Sequence, residues 1–90
     1  MNAQQFGQYY NLTNGNLDER FILAVDEIWQ GDYNSQTKSK IVHYDHDGMS
    51  KWFAVDMERY QDMDGEWEYE PEEFREVKPV EKVIIEFQTI

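Results

Sequence analysis

Nine carboxylates fall between Asp56 and Glu73: Asp56, Glu58, Asp62, Asp64, Glu66, Glu68, Glu70, Glu72 and Glu73, with Arg59 the one base among them. Crowded acids can hold a divalent cation, share acid and base roles in hydrolysis, or set up an electrostatic surface. Each use demands a different arrangement. An EF-hand loop needs ligands at fixed positions, with glycine sixth and a bidentate glutamate twelfth. With Gly65 sixth, Tyr60 falls first and Pro71 twelfth; with Gly48 sixth, His43 falls first and Ala54 twelfth. Neither frame supplies the two ends of the loop.

The run His43–Asp47 groups two imidazoles with two carboxylates and invites a zinc reading. A zinc site takes three or four converging ligands and a supporting shell of hydrogen bonds. Here His43 belongs to a strand and His46 to a turn, so a half-exposed strand histidine beside an Asp-rich turn is the better reading. No metal and no cofactor is expected. Nucleophilic chemistry has little to build on, because Cys is absent and Ser35, Ser39 and Ser50 sit in loop-like surroundings. None of the five glycines belongs to a phosphate-binding pattern. Glycoside hydrolysis needs one acid in an apolar pocket that raises its pKa, whereas these acids form a hydrated run. The sequence does not predict an enzyme.

The electrostatic use fits the distribution of charge. The formal net charge is −11 over 90 residues, beyond the magnitude of about 2 to 8 that serves solubility in a small domain. Residues 56–73 hold nine acids and one base, or −8, while the rest of the chain holds ten acids and seven bases, or −3. A generally acidic protein would spread its charge; here it is a patch. Such a balance disfavours direct binding to nucleic acid or to anionic membranes, and selects a basic protein as partner.

The elements that must position these acids follow from periodicity. Leu17, Phe21, Ala24, Val25 and Ile28 lie on one helical stripe, with Asn16 as cap and Gly31 as stop, which predicts a long helix over 16–31. Residues 32–40 read as an exposed polar loop. Strands are predicted at 40–44 and 49–57, joined by Asp-His-Asp-Gly with a loop of two, four or five residues. A second such turn, Asp-Met-Asp-Gly, precedes Glu66–Glu70. There strict alternation sends Trp67 and Tyr69 to one face and Glu66, Glu68 and Glu70 to the other. Pro71–Val77 reads as a short helix and Val83–Phe87 as a final strand. The predicted fold class is therefore α+β: one long N-terminal helix on an antiparallel sheet of about four strands, with a short helix before the last strand. Forty per cent apolar and 16% aromatic residues support one packed domain over 1–90, with 1–14 expected to be loosely ordered.

Same-face carboxylates two apart on a strand are about 6.6 Å from one another, close to the spacing of roughly 6–7 Å between successive phosphates of a nucleic-acid strand. The acidic row is thus expected to copy a backbone for a basic groove, aided by Tyr60 or Trp29. In overall character the chain resembles two functional classes. One holds phage or mobile-element inhibitors of restriction or CRISPR enzymes, the other immunity proteins that neutralise nuclease toxins. The first is preferred, because the acidic run resembles a distributed copy of a backbone more than a compact plug. A third reading is an assembly accessory that binds one protein through Phe6, Tyr9 and Tyr10. All three are non-enzymatic partners of another protein. Without a signal-like N-terminus, a membrane span or cysteines, the expected location is the cytoplasm, that of the host if a phage encodes the chain.

Overall fold

The computed structural model describes residues 1–81 and 85–90. Two long strands carry the architecture, β3 (Ser35–His46) and β4 (Met49–Gln61). They pair without interruption from His46↔Met49 to Ser35↔Tyr60. Asp47 and Gly48 join them, with φ of 52° and 74°. Two consecutive positive φ values define the tight turn whose twist matches that of the strands, which is why Asp-Gly stands here. Shorter strands line both outer flanks. β1 (Phe21–Asp26) and β2 (Gln30–Gly31) pair with β3, while β5 (Trp67–Tyr69) and β6 (Glu73–Val77) pair with β4. Every pairing is antiparallel.

One helix, α1 (Ala3–Leu12), covers one end of one face. It opens with a reciprocal cap: the Gln5 N–H donates to the Asn2 side chain and the Asn2 N–H to the Gln5 side chain, at 2.8 Å each. Asn14 and Gly15, both at positive φ, turn the chain away at its end. The helix buries Phe6, Gly7 and Tyr10. Phe6 stacks on Phe53 at 4.6 Å and meets Phe21 and Phe74. Val42, Tyr44 and Val55 complete this core. Gly7 is required for the close approach, because a Cβ there would stand 2.6 Å from the Phe74 ring.

This architecture corrects the expected fold class. The long helix over 16–31 does not form; residues 21–26 are a strand, and the only helix among the described residues lies upstream of it. The helical stripe misled because it equated apolar with buried. Phe21 is buried in the core, but Ile22, Leu23 and Val25 are exposed, and an exposed aliphatic residue is common on folded proteins. The β-branched Ile22 and Val25 suit an extended chain as well as a helix. Residues 35–40, read as loop, extend β3. The short helix at 71–77 is likewise a strand, β6, whose Phe74 reaches the core opposite Val55. The final strand at 83–87 lies partly outside the described residues; residues 85–90 join no strand.

Candidate functional site: an acidic edge of the sheet

Cross-strand partners share a face of the sheet, so the register fixes where each acid stands. Tyr69 lies opposite Arg59 and Trp67 opposite Gln61, on the face that α1 covers further along. Glu68 lies opposite Tyr60 on the other face. The Glu70 N–H donates to the Glu58 carbonyl at 2.9 Å, which puts Glu70 beside Glu58 on that same open face. Glu58, Glu68 and Glu70 thus form one group next to the half-exposed Tyr60. None of the three makes an ion pair among the described residues.

The next residues leave the ladder. Between Glu70 and Glu73 the flanking chain carries one residue more than β4 does, and Pro71 sits in that bulge. Proline has no N–H to donate, so a bulge on an outer strand is where a sheet tolerates it. Beside the bulge opens a groove of about 620 Å³, bordered by Glu27, Asp56, Glu58, Glu70, Glu72 and Glu73 together with Thr37, Ser39 and one cation of β3, Lys38, whose ammonium is paired with Asp26 at 2.8 Å. Glu27 comes from the far side of β3, where its carboxylate accepts the Ser39 N–H at 2.9 Å.

The structure therefore divides the nine predicted residues. Asp56, Glu58, Glu70, Glu72 and Glu73 border the groove and Glu68 stands beside it. Asp62, Asp64 and Glu66 lie instead at the tip of the β4–β5 hairpin. There the Asp62 carboxylate accepts the N–H groups of Asp64 and Glu66 at 2.8 and 3.0 Å, and Gly65 takes a positive φ. That is turn construction. Asp56 is also partly occupied: Arg75 Nε donates to it at 2.7 Å and the Ser39 hydroxyl at 2.6 Å. The Arg75 hydrogen bond, with help from Ser39, holds the Asp56 carboxyl below its usual range. Two contributors escaped the sequence reading. Arg75 falls just outside the counted window, and the helical stripe over 16–31 takes in Glu27; only a strand at 21–26 brings it near.

Arg59, the one cation inside the acidic window, points away from it. Its guanidinium carbon lies 4.2 Å from the Trp29 ring centre and 4.1 Å from that of Trp67. Two of its nitrogens donate to the Gln36 side-chain oxygen at 3.0 and 2.6 Å. A guanidinium in contact with two indoles and bonded to an amide oxygen is committed. Trp67 and Tyr69 thus anchor β5 through Arg59 and Trp29 rather than through the phenylalanine core.

His43 stacks on Trp52 at 4.0 Å and shares a 2.7 Å hydrogen bond with the Ser50 hydroxyl. His46 lies 3.2 Å from Asp47. Among the described residues no three His, Asp or Glu converge as metal ligands.

A helix-capped antiparallel sheet with one carboxylate-lined edge is the class of molecule these observations define. Residues 2–90 match the family model described as Phage T4 Y04K protein, and the chain belongs to that family of phage proteins. No curated protein and no solved structure matches it. No helix among the described residues is long and apolar enough to cross a membrane.

Proposed function

We propose that this phage protein is a non-enzymatic inhibitor that offers its acidic edge to the basic, nucleic-acid-binding surface of another protein, in the manner of anti-restriction or anti-CRISPR proteins. One observation carries the reading. Glu58, Glu68 and Glu70 share the open face without an internal counter-ion among the described residues, while Arg59 is clamped on the opposite face. Carboxylates left in this state repel one another, a cost to the fold that a cationic partner would relieve. Glu72 and Glu73 extend the charge along the groove, and Tyr60 adds a ring beside it. Membership in a phage family favours this reading over a toxin-immunity role. The partner sought is a basic nuclease or defence effector of the host, met in its cytoplasm.

The test is capture from host lysate on the immobilised chain, washed at about 0.1 M and then about 0.5 M salt, where the screening length falls below a contact distance between surfaces. A nucleic-acid-binding protein should be retained at low salt, released at high salt and displaced by duplex DNA. Reversal of Glu58, Glu68 and Glu70 to Lys should abolish retention. An empty low-salt eluate, or retention indifferent to salt and to the triple reversal, rejects the charge-led mechanism.

A further inference from the structure

The opposite edge of the sheet has a different character. Residues 21–25 of β1 contain no charge and no proline, and Ile22, Leu23 and Val25 are 60%, 55% and 47% exposed. A register shift between Leu23 and Val25 brings Ile22 and Val25, opposite His43 and Ile41, onto the same uncovered face. A stretch of outer strand with exposed aliphatic side chains and no charge or proline, ended here by Asp26 in its pair with Lys38, is a template for another strand. The same chain carries a β-prone segment without a sheet. Residues 85–90 read Ile-Glu-Phe-Gln-Thr-Ile, join no ladder, and leave Ile85 78% and Phe87 95% exposed. In an extended conformation Ile85 and Phe87 fall on one face, as Ile22 and Val25 do.

We infer that residues 85–90 of one copy add as a strand to the β1 edge of a second copy, reciprocally, so that the chain forms a strand-exchanged homodimer. The chain's own segment reaches that edge less well. It leaves the sheet after β6, on the flank opposite β1, and would have to run across the width of the sheet, off any ladder, before its N–H and C=O groups could pair there. A second copy brings its edge alongside with no crossing. The nearer flank is a poor acceptor, because its bulge carries Pro71 between carboxylates that would face Glu86. Charge agrees with this choice: two chains of −11 repel, and the paired segments are the ones that carry little of it. Six aliphatic or aromatic side chains per copy, Ile90 included, give twelve in the exchange. At roughly 100 Å² each they bury about 1,200 Å², the lower end of a specific interface.

Light scattering on the eluting full chain at about 100 μM should return twice the chain mass, at a concentration giving appreciable dimer for a micromolar interface. Ile85→Lys with Phe87→Lys, or Ile22→Lys with Val25→Lys, should weaken association about tenfold or more, since a lysine head resists burial between strands. All four positions are exposed, so the folded monomer survives and its circular dichroism should be unchanged. Mixing the two double variants should restore partial association, because one intact segment then meets one intact edge. In the unsubstituted chain, amide exchange at 85–90 should slow as concentration rises. Added salt should strengthen this dimer while weakening capture of a basic partner, which keeps the two proposals separable. A monomeric full chain, or a dimer that persists when Ile85 and Phe87 are lysine, overturns the exchange.

Discussion

The two flanks of one sheet treat the same physical problem in opposite ways. An outer strand exposes a row of backbone donors and acceptors that other chains can pair with. Along β4 the flank is broken by the Pro71 bulge and surrounded by Glu58, Glu68, Glu70, Glu72 and Glu73. It repels strands and attracts cations. Along β3 the flank is β1, with Ile22, Leu23 and Val25 exposed and no charge from Phe21 to Val25. It attracts strands. The difference teaches that surface character here is assigned by edge: one edge gathers carboxylates and the other exposes aliphatic side chains, and the two proposals above rest on that division.

That contrast exists only while the sheet between the flanks stands, and its keystone gives the largest expected effect. Phe53 is fully buried and stacked on Phe6, in β4, next to β6 and two strands from β1. Phe53→Ala should cost about 3–5 kcal/mol, lowering the melting temperature by about 10 °C or more in a chain of this size. Thermal unfolding followed by circular dichroism measures it. A shift of only a degree or two would mean that α1 is not what consolidates the sheet.

A smaller change should loosen the acidic flank alone. Arg59 holds Trp67 against Trp29 and ties both to Gln36. Arg59→Ala removes two cation–π contacts and a pair of hydrogen bonds, a loss of about 1–2 kcal/mol. Amide exchange should quicken at residues 66–70 and stay unchanged in β1 and β3. Arg59→Lys, which keeps the charge but not the flat surface, should recover only part of the protection. Exchange that quickens equally on both flanks would show that the clamp serves the whole sheet.

How much of this could be read from the sequence depends on what each residue's signal is local to. Asp47–Gly48 declares its turn within two residues, and the alternation at Trp52–Val55 declares its two faces, so the central hairpin was legible. The paired facing of Trp67 and Tyr69 against Glu68 was legible for the same reason. The segments around that hairpin were not. Phe21–Val25 satisfies a helical stripe and a strand equally; the choice is made by β3, whose edge needs a partner, and by Phe6, which needs Phe21. Pro71–Val77 has the proline and acids of a helix start, yet Phe74 is claimed by the α1 core. In both cases a tertiary contact overrides a local preference. The acidic cluster was visible as composition, but its division was hidden. The turn at Asp62–Gly65 was legible, but not that the Asp62 carboxylate is spent on the N–H groups of Asp64 and Glu66; and Arg59 looks like a counter-ion until Trp29, thirty residues away, is seen to hold it.

The smallest expected effect bears most directly on what the acidic flank is for. Glu58 and Glu70 are neighbours across the ladder, and Glu68 stands two residues along from Glu70. Like charges so placed destabilise a sheet by a few tenths of a kcal/mol per pair. Replacing all three with Gln should therefore leave the fold intact and raise its stability, by up to about 0.5 kcal/mol for each repulsion removed. The gain should be largest at low salt and shrink as salt screens the repulsion in the unsubstituted chain. Denaturant unfolding at two salt concentrations resolves the difference. A loss of stability would mean that these carboxylates hold the fold through contacts that the register does not reveal. A gain, accompanied by loss of capture, would separate folding from function at the same three positions: side chains that weaken the sheet they stand on are kept for what they meet outside it.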